Sequence, residues 1–162
     1  MNALINKADA LYIWFLKAAN ACQSPFLLVV RLYWGWQFWQ AGWGHLQNMQ
    51  KFVDFFISLG IPAPTLNAHF VAVLEAGGGI LLILGLGSRL ISLMLAGDML
   101  VAYITADREA LFSVFSDPDK FYAASPYTLL VASLIVLIFG PGLLSLDTLV
   151  ARYVKKRQSA GA

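Results

Sequence analysis

Charge is scarce in this chain. Only 12% of its 162 residues are Asp, Glu, Lys or Arg, against about 25% in soluble globular domains, and 59% are hydrophobic. With a mean hydropathy of +0.69, the composition excludes an ordinary soluble domain and points to an integral membrane protein. Cysteine is nearly absent: Cys22 stands alone, which excludes an internal disulfide and a CxxC redox pair. The spacing of Met, Cys and His around His45 and His69 does not make up a metal-ligand set, so no metal site is expected. The net charge of +2 does not mark a nucleic-acid binder, because the basic residues gather near the termini, where membrane topology accounts for them. No serine or cysteine has partners that would make it a nucleophile. Chemistry would have to rest on carboxylates, arginine, histidine, aromatics or a bound cofactor.

What is abundant is long apolar sequence. Phe70 to Thr105 reads as two apolar runs joined by a polar hinge at Ser88-Arg89. Each run is long enough to cross a bilayer, which takes about 20 residues of helix. Glu75 and Asp98 fall near the middle of their runs. A charge at that depth costs on the order of 3 kcal/mol on insertion scales, so both carboxylates are candidate functional residues.

The expected architecture is an all-α, integral membrane four-helix bundle preceded by an N-terminal amphipathic interfacial helix. Residues 1–24 form the amphipathic segment. Leu4, Ile5, Ala8, Leu11, Tyr12, Phe15, Leu16 and Ala19 recur at helical spacing there, with Lys7, Asp9 and Lys17 between them. A cleaved signal peptide is disfavoured because Lys17 interrupts its apolar core. Residues 25–150 form the transmembrane domain. The first span opens after Ser24-Pro25 and runs to about Leu46, with Arg31, Gly35, Phe38, Gly42 and His45 on one face. Trp36, Trp39 and Trp43 form a neighbouring stripe, read as lipid-facing packing in preference to a cofactor wall. A short surface helix around Phe52–Leu59 follows. The second span covers about 67–86, the third 89–106 and the fourth 125–144. Gly77-Gly78-Gly79 has no preceding strand and no following Lys or Ser, so it is a site of close helix contact or a local break and not a phosphate loop. Residues 151–162 form a basic tail.

Lys7, Lys17, Arg89, Arg152, Lys155, Lys156 and Arg157 fall on one side of these spans, and Lys51, Arg108 and Lys120 on the other. The positive-inside rule then places both termini of this multi-pass protein on the cytoplasmic side. Arg31 can snorkel to the cytoplasmic surface or reach inward, and the inward pairing with Glu75 or Asp98 is the one expected. The two carboxyls would then share the remaining proton in a polar centre suited to a quinone or a transported substrate. A static ion pair holding the bundle together is the alternative.

The segments FWQAGWGHL, LGIPAP, LEAGGGILLILGLGSRLISLMLAGDMLVAYIT and FGPGLLSLD, in this order over residues 26–150, resemble the DoxX family of small four-helix membrane proteins. Its motif positions carry over onto Arg31, Gly42, Glu75, Gly78, Gly85, Arg89, Ala102, Gly140, Gly142, Ser145 and Asp147. Members commonly have a lysine where this chain has His45. The resemblance implies redox chemistry at the inner membrane with a quinone as ligand, and soluble or membrane redox proteins as partners. The candidate ligand-binding set is therefore Arg31, Glu75 and Asp98, flanked by His45 and Arg89. The expected function is a membrane subunit of a quinone-linked redox or detoxification system. A non-catalytic scaffold and a small transporter are the rivals, and they differ in what should surround the carboxylates. A quinone site needs a lipid-accessible pocket, a transporter a water-filled cavity, and a scaffold neither.

Overall fold

The computed structural model describes residues 2–160, with side chains placed for residues 11–159. All of its elements are helices: α1 (Asn2–Gln47), α2 (Met49–Ser58), α3 (Pro64–Leu84), α4 (Ser88–Thr105), α5 (Arg108–Phe112), α6 (Pro118–Ala123), α7 (Pro126–Phe139) and α8 (Leu146–Ala160). Three of them, α1, α3 and α4, are long and apolar enough to cross a membrane. Their outward surfaces are largely apolar, as lipid favours: Val29, Leu32, Val73, Leu90 and Val101 are all exposed.

The expected boundary at Pro25 is not a helix start. α1 runs through it without interruption. Ser24 does not cap a helix; its hydroxyl accepts the Leu143 N–H at 2.8 Å. The exposed proline lacks only its own amide bond, a defect that membrane helices tolerate. The surface helix and the first span are thus one element. The side chains of residues 1–10, which include Leu4, Ile5 and Ala8 of the expected amphipathic pattern, lie outside the described residues. Leu11 to Leu16 are all exposed.

α1 and α3 pack along a seam of small residues. A Cβ on Gly79 would lie 2.5 Å from Gly35 O and Trp39 N, and one on Gly42 would lie 2.7 Å from Ala72 O. Ala68 and Ala72 on the same face of α3 are fully buried. Without a hydrophobic force between helices in lipid, such close backbone approach supplies the packing. The glycine triplet is therefore a contact site inside a continuous helix: Gly78 faces Leu95 of α4, Gly79 faces α1, and Gly77 faces open space.

α4 packs mainly on α7 around Leu95, Met99, Ala132 and Val136, with Val30 and Phe38 of α1 completing the core. α7 is shorter than the expected fourth span. It stops at Phe139 because Gly140 turns to φ +79° and Pro141 cannot continue a helix. Fourteen residues cover about 21 Å of a roughly 30 Å hydrocarbon layer. At the opposite end Phe121 stacks on Tyr103 at 5.4 Å and accepts the Tyr103 hydroxyl at 2.9 Å, tying the 107–122 segment to α4.

Candidate functional site

The register of the α1–α3 seam decides which polar residues meet. Gly35 lies against Gly79 and Gly42 against Ala72 and Ala76, so Glu75 is level with the stretch between Trp39 and Gly42. Arg31 stands about 12 Å lower along α1. The expected pairing of Arg31 with Glu75 or Asp98 is not formed. The Arg31 guanidinium is 1% exposed and donates to Pro141 O at 2.8 Å and to Leu144 O at 2.7 Å. These are carbonyls of the segment between α7 and α8.

Arg31 belongs to a clasp at that end of the molecule. Gly85, at φ +69°, lets the α3–α4 turn pass against the guanidinium, since a Cβ there would lie 2.9 Å from Arg31 Cζ and 2.7 Å from Ser145 Cβ. The Asp147 amide donates to Gly85 O at 2.9 Å. Its carboxylate accepts from the N–H groups of Gly87 at 2.8 Å and Ser88 at 2.9 Å, the first amides of α4. Partial burial pushes the Asp147 carboxyl up. The Ser88 and Gly87 amides and the positive charge of Arg31 outweigh this and hold it below its ordinary value. Arg89 lies at the same end, exposed, with a 3.5 Å contact to Ile138 O. Five of the motif positions (Arg31, Gly85, Gly140, Ser145 and Asp147) thus build a structural joint between helices far apart in sequence.

The carboxylates lie elsewhere. Above the Gly78–Leu95 contact, a cavity of about 870 Å³ opens between α3 and α4, with Glu75 and Asp98 both in its wall. Leu74, Met94, Met99 and Leu129 supply apolar lining, and Phe52, Phe55 and Phe56 of α2 close the end nearest His45. Phe70 and Val101, at its edge, are exposed on the outer surface of the helices, so the cavity opens sideways between α3 and α4. Glu75 is 5% exposed, and its Oε2 stands 3.4 Å from His45 Nε2. His45 also stacks on Phe52, with ring centroids 3.8 Å apart and planes 6° from parallel. Asp98 Oδ2 is shielded from solvent and accepts no hydrogen bond, and neither does Glu75 Oε2 at its longer contact. His69 is outside this group; its Nδ1 lies 2.7 Å from Thr65 O within its own helix turn.

Of the expected set, the structure gathers Glu75, Asp98 and His45, and removes Arg31 and Arg89. Sequence reading missed the three phenylalanines of α2. Their i, i+3, i+4 spacing was visible as an amphipathic pattern, but nothing local shows that the helix folds over the carboxylates. An arrangement of one buried and one half-buried carboxyl with a partly exposed imidazole in an apolar chamber can hold and pass protons, and can hydrogen-bond the oxygens of an otherwise apolar ligand.

The DoxX family model matches residues 26–108, just over half of the chain. A Bacillus subtilis (strain 168) protein named "Putative oxidoreductase CatD" is 30% identical over 123 residues, which cover 76% of this chain and 85% of the relative. No solved structure matches the chain. The matched region runs from the start of the glycine seam through both carboxylate-bearing helices, and with the relative it establishes that this chain belongs to the DoxX family.

Proposed function

We propose that this protein is a membrane subunit of a quinone-linked redox or detoxification system, and that the α3–α4 cavity holds the quinone head group. The observation that carries this reading is the placement of two orphaned carboxyl oxygens, Glu75 Oε2 and Asp98 Oδ2, in an apolar chamber that opens sideways. Its volume, about 870 Å³, lies within the roughly 300–1,000 Å³ typical of small-ligand sites. A sideways opening admits a lipid-soluble ring from the bilayer. Met94, Met99, Phe56 and Leu129 would cover the faces of a planar ring, and Glu75 and Asp98 would bond its oxygens. A quinone held there would supply the electron-accepting chemistry.

This chain's part is the protons. Either carboxyl of the pair, when protonated, can donate to a ligand oxygen. His45, stacked on Phe52 and partly exposed, links Glu75 to the surface at the α2 end. Electrons come from a redox partner, membrane-bound or soluble. The lysine and arginine distribution supports placing the Arg31–Asp147 clasp and both termini on the cytoplasmic side of the inner membrane, with α2 outside. The name carried by the Bacillus relative agrees with a redox role.

The test is the quinone content of protein purified in mild detergent. Stoichiometric quinone that falls sharply in Asp98→Asn and Glu75→Gln, with thermal stability retained, is the expected result. No quinone in the wild-type protein, with host function intact in both variants, would replace this reading with the scaffold.

A further inference from the structure

The outward face of α1 carries a feature that lipid does not explain. Gln37 and Gln40 are exposed, in a helix that spans the membrane, and their side-chain amides make no hydrogen bond among the described residues. Counting from Ser24, where the 140–145 segment crosses α1, Gln37 lies about 20 Å into the bundle, well within a hydrocarbon layer of roughly 30 Å. An amide facing acyl chains has neither water nor protein to bond. Tyr33, Gln37, Gln40, Gly44 and Gln47 follow one another at steps of four, three, four and three residues. That is the 3.5-residue spacing of a helix–helix seam, not the wider stripe of a helix facing a core. A Cβ on Gly44 would meet nothing within 4 Å, so the seam is open there to close approach by another helix. Trp36 and Trp43, each 49% exposed, flank the line on one side.

We propose that this face is the interface of a homodimer, in which α1 of one protomer packs in parallel on α1 of its partner. Two copies inserted in the same orientation are related by an axis along the membrane normal, and each seam residue then meets its own equivalent. This is what favours a second copy over an unrelated helix. An amide is both donor and acceptor, so glutamine facing glutamine satisfies itself at each level, and glutamine is a known adhesive between membrane helices. The pairing leaves the cavity edge at Phe70 and Val101 free, because these belong to α3 and α4.

The experiment uses the full-length chain in native membranes, in a Cys22→Ser background, with single cysteines at Gln37, Gln40, Leu90 and Ile138. Oxidation should give a band of twice the 17.8 kDa monomer mass from Gln37→Cys and Gln40→Cys, and none from Leu90→Cys or Ile138→Cys, which are exposed on α4 and α7. Light scattering of the detergent-purified protein should give a dimer that becomes a monomer in the Gln37→Leu/Gln40→Leu double variant. Equal cross-linking at all four positions, none at any, or a band of a different mass indicating another partner would overturn the proposal. So would a double variant that remains dimeric.

Discussion

His45 Nε2 stands 3.4 Å from Glu75 Oε2, joining the last turn of α1 to the middle of α3. This contact takes the place that Arg31 was expected to fill. Removing it takes from a buried carboxyl its nearest polar neighbour, although the two share no hydrogen bond. His45→Ala should therefore lower the thermal stability of the purified protein, and Glu75→Gln should recover part of that loss in the double variant. A coupling of at least about 0.5 kcal/mol in the cycle is expected for two side chains in direct contact. Strictly additive effects would mean that the two groups do not sense each other.

Arg31→Leu should be far more damaging than Glu75→Gln, for a reason unconnected with the cavity. The guanidinium satisfies two carbonyls 110 and 113 residues away, and each charged hydrogen bond of this kind contributes roughly 1.5–3 kcal/mol. Gly85→Ala should mimic it, because the new methyl strikes the guanidinium and the left-handed φ of +69° disfavours a side chain. Protease sensitivity of the 140–160 region should rise in both. Wild-type behaviour of Arg31→Leu would show that the α7–α8 segment holds its place without the clasp.

How far such a joint is readable from sequence depends on which dimension is asked. Periodicity placed Glu75 on a face with Ala68, Ala72, Gly78, Gly79 and Leu82, and all six are buried. The hairpin from Phe70 to Thr105 was also readable, because its turn residues and apolar runs are local. Arg31 was misassigned because a helical wheel gives the face of a residue and not its height against a neighbour. The height comes from the Gly35–Gly79 and Gly42–Ala72 contacts, which are tertiary. The carbonyls that Arg31 meets are aimed by Gly140 and Gly142 at φ +79° and +77°, and no local pattern of apolar residues encodes that path.

Asp147 gives the clasp a pH dependence. Its carboxyl is held below its ordinary value, chiefly by the Ser88 and Gly87 amides against an opposing effect of burial. A group depressed in the folded state stabilises it at pH above the unfolded value of about 4, and that contribution fades as pH falls through the lower folded value. Melting temperature should thus fall below about pH 4 in part through Asp147. Asp147→Asn, which keeps one acceptor but loses the charge at the start of α4, should be less stable at pH 7 and lose less on acidification. Parallel pH curves for the two proteins would exclude Asp147 as a contributor.

The glycine triplet separates three roles within one turn. Gly79→Ala and Gly42→Ala should each destabilise strongly, since the added carbon meets backbone that side-chain motion cannot relieve. Gly77→Ala meets nothing within 4 Å and should be neutral or stabilising by up to about 1 kcal/mol through helix propensity. Expression level and melting temperature would rank the three. A destabilising Gly77→Ala would point to a contact on that face with another chain.

The cavity itself can be tested by filling it, apart from the charges. Gly97 and Ala102 line it from α4, and a Cβ on Gly97 meets nothing within 4 Å. Gly97→Leu and Ala102→Phe should occupy the space beside Asp98 without disturbing the glycine seam or the clasp, leaving melting temperature close to wild type. If the chamber receives a ring from the bilayer, both variants should lose retained quinone and any dependent activity, although Glu75, Asp98 and His45 are all intact. Asp98→Asn should lose activity with the cavity open, and the combination should be no worse than either filling variant alone. Were the filled variants fully active, the carboxylates would act without a ligand between α3 and α4, and the site would have to be sought elsewhere on the molecule.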